Sequence, residues 1–221
     1  MSKKNISAFL RNLRDSESGV AYIELAYMTP ILLFLGLGGI ELANFAITNT
    51  RISQLSLTLA DNASRAKQDV PTGDPVFREY DANEVFAGLN IQAGELNFKK
   101  NGRAILSSLE VNAEGGQTIH WQRCYGDKVY PSSYGNEGDG KTGTAFPGMG
   151  PSTARVAAEA NFGIMFVEIA YDYQPMMFGS LIPNKRIVKT AALYVRDNRD
   201  YSRGIVQTAG VPQSLCTQPT P

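Results

Sequence analysis

A single carboxylate interrupts an apolar run near the N-terminus, and its spacing from a glycine suggests a processing chemistry. Glu24 is the sole charged residue within residues 20–40, and Gly19 lies five positions before it. Cleavage after Gly19 would create a new α-amino group on Val20, and that cation could pair with the Glu24 carboxylate of a neighbouring subunit within lipid. If the chain is cut between Gly19 and Val20, this spacing favours inter-subunit helix pairing through Glu24. A Glu24 side chain that reaches the aqueous interface is the alternative interpretation.

The apolar run itself predicts a transmembrane helix. At about 1.5 Å of rise per residue, residues 20–40 span roughly 30 Å, the thickness of a bilayer's hydrocarbon core. Basic residues precede the run, and the first one after it is Arg51. This asymmetry predicts a cytoplasmic N-terminus, with the rest of the chain on the other side of the membrane. The basic residues before the run are Lys3, Lys4, Arg11 and Arg14.

These features together resemble the prepilin signature of type IV pilin-like proteins. The stretch from Gly19 to Ala26, with Pro30 and the leucine-rich residues after it, is similar to that of the TadE-like minor pseudopilins of the tight-adherence (Tad/Flp) type IVb pilus system. The resemblance covers residues 14–45. Leu25 stands where the major Flp pilins have tyrosine, and the chain is far longer than those filament subunits. Both departures favour a minor pseudopilin over a major pilin.

The resemblance implies that a prepilin peptidase removes the leader, residues 1–19, and that the mature chain contributes to pilus assembly, initiation or tip capping. It implies other partners as well: further minor pseudopilins, the major pilin, the inner-membrane assembly platform and membrane lipid. The expected location is the inner membrane, with a single span, an extracytoplasmic C-terminal domain and incorporation into the surface pilus as a further step. Neither catalytic activity nor a cofactor is expected.

Two other functions agree with the same N-terminal pattern. One is a pseudopilin of type II secretion, which would depend on a secretion channel instead of forming surface fibres. The other is a single-pass membrane-anchored binding or sensory protein, whose leader stays attached and whose glycine-rich loop, residues 127–151, meets a ligand. The mass of the mature chain distinguishes this second alternative from both pseudopilins.

Residues 41–68 predict an amphipathic extension of the same helix. Apolar residues recur there at helical spacing, and the stripe either packs on the chain's own domain or meets other subunits. Pro30 lacks the N–H that would bond to Ala26, which predicts a helix kink. Residues 69–75 contain two prolines and a glycine and are predicted to form a linker. The stripe consists of Leu42, Phe45, Ile52, Leu55, Leu59, Ala63 and Ala66.

The remaining residues, 76–221, predict one strand-rich extracytoplasmic domain, so the expected fold class is α+β. A short helix is expected at 84–89, and a hairpin is expected around Asn101 and Gly102. Residues 127–151 are glycine-rich and are predicted to form a long surface loop, a mobile connector. The predicted strands are 95–98, 104–112, 117–125, 161–173 and 186–196, the last with Ile187, Leu193 and Val195 toward the core.

The chain has two cysteines, Cys124 and Cys216. Both fall on the side of the membrane where oxidation is permitted, which predicts a disulfide between them. Two separate reduced thiols are the alternative. A disulfide would tie the proline-rich C-terminal tail back onto the strand around Trp121.

Other chemistry is not predicted. The 221 residues include 21 basic and 21 acidic side chains, a balance that excludes a broad nucleic-acid surface. One histidine and two cysteines are too few for the usual metal sites. Residues 135–142 match the phosphate-loop pattern, but the glycines and prolines that follow cannot form the required helix. His120 lies beside Trp121 with no carboxylate nearby in the sequence, and a structural role is predicted for it.

Overall fold

A helix of 46 residues, α1 (Val20–Arg65), continues without interruption through Pro30. The structure, a computed structural model, describes residues 19–67, 73–177, 179 and 185–217. The predicted leader, apart from Gly19, and most of the predicted linker fall on residues 1–18 and 68–72, which lie outside the described residues. The helix ends at Arg65, before the predicted boundary at residue 68, because Ala66 adopts an extended conformation with ψ 121°.

The domain after α1 combines short helices with longer strands. Its elements are β1 (Phe77–Arg78), α2 (Glu79–Ala93), a 3-10 turn (Gly94–Leu96), α3 (Phe98–Asn101), β2 (Gly102–Val111), β3 (Gln117–Tyr125), β4 (Ile164–Asp172), β5 (Arg186–Tyr194), a second 3-10 turn (Tyr201–Arg203) and β6 (Ile205–Val206). This order confirms the α+β class with a long N-terminal helix and a strand-rich domain.

The four long strands form an antiparallel sheet in the order β3-β2-β4-β5, while β1 and β6 form a separate parallel pair. Successive side chains of a strand point to opposite faces of the sheet. In β4, Val167 and Ile169 therefore join the core beneath the helices, whereas Phe166 joins a second apolar cluster on the other face.

The larger core lies between one face of the sheet and helices α1 and α2. Ile52 and Leu59 of α1, Phe86 of α2 and Val167 of β4 are buried in it. Full burial of such side chains stabilises the fold by about 1.5–3 kcal/mol each. The second half of α1 is thus part of the domain's own core.

The second face of the sheet is covered by the long segment between β3 and β4. Met149 packs there with Leu109 and Ile119, and the Tyr134 ring meets the Phe166 ring at 5.6 Å between centroids. The sequence predicted a mobile connector in residues 127–151. The structure shows a loop that lies mostly at the surface, as predicted, and that is anchored to the sheet because Tyr134, Phe146 and Met149 pack on its second face.

The predicted strand at 95–98 and its hairpin are wrong. Asn97 adopts a left-handed conformation with φ 47°, and the chain then forms α3 before entering β2. Phe98 is buried between the Tyr125 and Tyr171 rings, at 6.5 and 6.3 Å between centroids. Gly102 follows the last residue of α3 and lies close to Phe98. A Cβ at Gly102 would be 2.7 Å from the Phe98 ring. Asn101 and Gly102, predicted as the turn of a hairpin, therefore form the end of α3.

The other strand predictions are confirmed with shifted ends. β3 has the predicted bounds, and β2, β4 and β5 lie within one or two residues of theirs, apart from the first residues of 161–173. Ile187 and Val195 are buried, and Leu193 packs against the same core. The helix predicted at 84–89 is the middle of the longer α2, whose first turn is stabilised by Asp81: its carboxylate accepts the Arg78 backbone N–H at 2.9 Å.

Candidate functional site

The first half of α1, residues 20–40, is apolar and lies outside the domain. Large side chains such as Phe34 and Leu35 are exposed along it. Of the described residues, one helix is long and apolar enough to cross a membrane, and it is α1. The part of the protein that carries the predicted processing and pairing residues is therefore a rod that the chain's own domain does not cover.

Gly19 and Val20 lie at the start of this rod, where Gly19 is the N-cap and Val20 the first helical residue. Glu24 is exposed, one turn further along the helix. Among the described residues, none forms a hydrogen bond or ion pair with the Glu24 carboxylate.

Pro30 lies inside the continuous helix, and the Thr29 hydroxyl beside it donates to the Leu25 carbonyl at 2.6 Å. The carbonyl that loses its helical donor at Pro30 is that of Ala26, so the Thr29 hydroxyl adds a bond to the neighbouring carbonyl and does not replace the missing one. Further along the rod, a Cβ added at Gly38 or Gly39 would meet nothing within 4 Å. The chain's own packing therefore does not require glycine at either position.

A second carboxylate marks the point where α1 enters the domain. Glu41 is only 2% exposed, and it accepts hydrogen bonds from the Tyr173 hydroxyl at 2.5 Å and from the backbone N–H groups of Met176 at 3.1 Å and Met177 at 3.0 Å. A buried carboxylate is tolerated only when donors compensate for its lost hydration. The loop after β4 supplies those donors and closes around the helix at this residue.

Aromatic contacts reinforce this junction. The Tyr173 hydroxyl also accepts from the Asn44 amide at 2.7 Å, and its ring meets Phe45 edge-on at 5.1 Å between centroids. Lys185 places its ammonium 4.7 Å from the centre of the Phe45 ring. Burial, together with the hydrogen bond to Glu41, raises the pKa of Tyr173 to about 12, so the hydroxyl stays protonated as the donor that Glu41 needs.

The second half of α1 is held along its whole length by the domain. Most of the predicted apolar stripe, including Ile52, Leu59 and Ala63, is buried there, although Leu42 is exposed. At the far end, the Ser64 carbonyl accepts from the Arg196 backbone N–H at 3.2 Å, and the Ala66 carbonyl accepts from the Arg199 guanidinium at 2.6 Å. Of the two predicted uses of the stripe, the structure shows packing on the chain's own domain.

The structure contains the predicted disulfide between Cys124 and Cys216. The bond joins the last strand residues of β3 to the C-terminal tail, 92 positions further along the chain. The tail is also held by hydrogen bonds, because the Cys124 backbone N–H donates to the Ser214 carbonyl at 2.7 Å and Arg103 donates to the Cys216 carbonyl at 2.8 Å. In the chain-entropy picture, closing so long a loop stabilises the fold by roughly 4 to 5 kcal/mol.

The carboxylate partner of His120 was missed by the sequence. Glu110, on the neighbouring strand, places Oε2 at 2.7 Å from Nδ1 of His120, and this hydrogen bond raises the pKa of the imidazole. The Ser108 hydroxyl donates to the other oxygen of Glu110 at 2.6 Å, so it is directed at the carboxylate and not at the imidazole. Such a geometry does not activate a serine nucleophile, which needs the histidine itself as its base.

The phosphate-loop match does not form a phosphate site. Residues 135–142 make turns against the outer edge of β3, where the Ile119 backbone N–H donates to the Asp139 carbonyl at 2.9 Å and the Ile119 carbonyl accepts from the Gly138 N–H at 2.8 Å. No helix follows in residues 143–163, all of which the structure describes. The described residues also contain no group of three His, Cys, Asp or Glu side chains that could hold a metal ion.

Two buried carboxylates, Glu79 and Glu168, have partners that were also not foreseen. Arg123 of β3 binds both oxygens of Glu79, the first residue of α2, at 3.0 and 2.9 Å from Nε, and it reaches Glu137 of the loop at 2.9 Å. On the other face, Glu168 accepts from the Tyr130 hydroxyl at 2.8 Å and the Ser132 hydroxyl at 3.1 Å. Sequence gives no signal for such pairs, because their members are 44 and 38 positions apart. Both sets of contacts join the sheet to neighbouring segments.

Comparison of this chain with protein-family models, with curated proteins and with solved structures gave no match.

Proposed function

We propose that this protein is a membrane-anchored minor pseudopilin of a tight-adherence type pilus, cleaved after Gly19 by a prepilin peptidase and acting in pilus assembly, initiation or tip capping. The proposal rests on the different surroundings of the two halves of α1. Its second half is a core element of the domain, whereas its first half is apolar, exposed and carries one charge, Glu24. A pseudopilin needs this division, because one helix must anchor the domain and also pack against other subunits.

The exposed half requires an apolar environment outside the chain. A contiguous apolar surface of this size is not stable in water and marks a membrane or protein contact. Its length of roughly 30 Å matches a bilayer's hydrocarbon core, so lipid can cover it before assembly. Other pilin helices can cover it afterwards, and the open positions at Gly38 and Gly39 would permit close approach between helices.

In this proposal, Glu24 pairs the helices of two neighbouring subunits. A charged carboxylate within the hydrocarbon core costs a few kcal/mol, so it needs a cationic partner. The new α-amino group of Val20 on a neighbouring subunit would supply one, and the pair would fix the axial register of the two helices. The exposure of Glu24 and its lack of a partner among the described residues support this role.

The proposal also assigns partners and a location. The prepilin peptidase would act on the cytoplasmic side of the inner membrane, while the domain lies on the other side. Other minor pseudopilins, the major pilin and the inner-membrane assembly platform would contact the rod and the domain after cleavage. The disulfide between Cys124 and Cys216 supports this location for the domain, because such bonds persist in an oxidising compartment.

The test is the mass of the mature N-terminus in the native host, measured for the wild type and for Gly19→Ala. We expect a chain that begins at Val20 in the wild type and an uncut precursor in the variant. An intact leader in the wild type would contradict the proposal and leave a single-pass binding or sensory protein. Cleavage together with dependence on a secretion channel, and no role in surface fibres, would favour a type II secretion pseudopilin.

A further inference from the structure

We propose that the end of the domain nearest the rod is a second membrane contact, which binds the headgroups of anionic phospholipids. This surface, here called the collar, consists of Met176, Met177, Lys99, Lys100, Lys128 and Lys185. The inference rests on the membrane anchoring in the proposed function but not on cleavage or on pilus assembly.

The position of the collar follows from the Glu41 junction. Glu41 is the first residue after the apolar run, so it lies where α1 leaves the bilayer. Met176 and Met177 donate their backbone N–H groups to its carboxylate, and their side chains are 64% and 48% exposed. Two apolar side chains are thus fixed at the level of the membrane surface, where apolar side chains can enter the headgroup region.

The direction of α1 places the lysines at the same end. Glu41 of α1 contacts Tyr173, which lies just beyond the end of β4, and Ser64 of α1 contacts the backbone of Arg196, just beyond the end of β5. Because β4 and β5 are antiparallel, these contacts lie at opposite ends of the sheet, so α1 extends along the strands. The end of the sheet at Tyr173 therefore faces the membrane. Register places Gly102 opposite Tyr171 at this end. Because β2 begins there and β3 ends there, α3 and the loop after β3 lie at the same end, with Lys99, Lys100 and Lys128 on them.

Charge complementarity identifies the occupant as an anionic bilayer. Lys99, Lys100 and Lys185 are exposed, and Lys128 is half-buried. The acidic residues at this end are Glu41, Glu95, Asp127 and Asp172. Glu41 is buried among its donors, and Asp172 is bound by Arg186 at 2.6 Å and Lys128 at 3.3 Å.

The opposite end of the sheet has exposed charges of both signs, and Arg196 and Arg203 are among the cations there. Glu114, Asp139 and Glu159 lie there against Lys141, and all four side chains are exposed. Each lysine near an anionic surface is expected to favour the docked state by about fivefold.

The test uses the full chain in vesicles of phosphatidylglycerol and phosphatidylcholine, with and without bromine on the acyl chains. Bromine quenches tryptophan that reaches the bilayer, and the native Trp121 is buried and gives a constant background. We expect Met176→Trp to be quenched by brominated phosphatidylglycerol. Phe162→Trp is the matched control, because Phe162 is also exposed but precedes β4 at the opposite end. Equal emission of Met176→Trp in brominated and plain vesicles would overturn the proposal.

Charge is tested by two triple variants that remove the same number of positive charges. Replacing Lys99, Lys100 and Lys185 by Gln in the Met176→Trp chain is expected to lower the ratio of docked to undocked domain about fivefold per lysine. Replacing Lys141, Arg155 and Arg203 by Gln is expected to leave it unchanged. Equal quenching in both triple variants would overturn the role of the lysines.

Resistance of the chain to alkaline carbonate separates this proposal from the proposed function. A chain that resists extraction but shows no quenching contradicts the collar alone. A chain that carbonate releases contradicts the membrane anchor and with it the collar. Neither result depends on leader cleavage or on pilus formation, because neither occurs in these vesicles.

Discussion

The two halves of α1 belong to one uninterrupted helix and yet have different surroundings. Residues 20–40 are apolar on every side, and nearly all of their side chains are exposed. Residues 41–65 are apolar on one side, and that side is buried against α2, β4 and β5. A helix that is hydrophobic all round needs lipid or other helices, whereas a helix with one apolar face needs a single neighbour.

The two carboxylates of the helix show the same contrast. Glu24 is exposed on the rod without a partner among the described residues, while Glu41 is buried at the junction with three donors from one loop. The described part of the chain thus provides donors for the Glu41 carboxylate and none for the Glu24 carboxylate. We therefore expect substitutions before Glu41 to affect assembly, and substitutions from Glu41 onward to affect the stability of the domain.

The largest contrast is expected for leucine truncation in the two halves. Leu59 is 1% exposed, so Leu59→Ala should lower the free energy of unfolding by about 3 kcal/mol through lost burial and a cavity. Leu33 is 56% exposed, and Leu33→Ala should leave the unfolding of the domain unchanged. Denaturant titration of both full chains in the same detergent measures the difference. A comparable loss for Leu33→Ala would mean that the rod contributes to the domain's own stability.

Enlargement of a small residue should show the next contrast. Ala63 is fully buried, and Ala63→Leu should cost about 2 kcal/mol because the added carbons have no space. Ala43 is exposed, so Ala43→Leu should have no effect on unfolding of the isolated chain. Thermal unfolding followed by near-ultraviolet circular dichroism compares the two. If both variants unfold like the wild type, the core around Ala63 is looser than its burial indicates.

The carboxylates provide the third comparison. Glu41→Gln should lower the free energy of unfolding by about 1–2 kcal/mol, since an amide cannot accept from all three donors as the carboxylate does. Glu24→Gln should leave unfolding and leader removal unchanged but impair pilus assembly, because the pairing charge is lost. Chemical denaturation, N-terminal mass and fibre counts in the native host separate these effects. Normal piliation of Glu24→Gln would contradict helix pairing through this residue.

The smallest effect concerns the chain's single histidine, which lies in the domain. The hydrogen bond that His120 donates to the Glu110 carboxylate raises the pKa of the imidazole above its usual value. The pair therefore stabilises the fold fully below about pH 6.5, the ordinary histidine pKa, and this contribution is lost as the pH rises through the raised value. It should amount to a few tenths of a kcal/mol, because the ring is 38% exposed and solvent screens the pair.

The measurement for this last prediction is the unfolding midpoint between about pH 5 and about pH 8. Glu110→Gln is the control, because it keeps an oxygen near the ring but removes the charge. The difference in stability between wild type and Glu110→Gln should be greatest at the acid end. A difference that grows toward alkaline pH would have the wrong sign for this pair.

Patterns that are local in sequence predicted the parts of the fold that depend on local chemistry. The apolar run and the helical stripe predicted α1, and the strand predicted at 117–125 is β3 with the same bounds. The strand at 95–98 failed for a tertiary reason, since burial of Phe98 between two aromatic rings selects a helical turn there. The covering role of residues 127–151 was missed for a similar reason, because glycine content says nothing about the sheet face that a segment can fill.

By itself the sequence determined that one helix can span a bilayer, that Glu24 lies five positions after Gly19, and that two cysteines are available to pair. These features depend on composition and spacing along one element, so no fold is needed to recognise them. Only the tertiary structure decided that Glu41 is buried while Glu24 is exposed, and that Glu110 reaches His120. The reason is physical: the donors around Glu41 come from a loop more than 130 residues away along the chain, and the free energy of a charge depends on the groups that surround it.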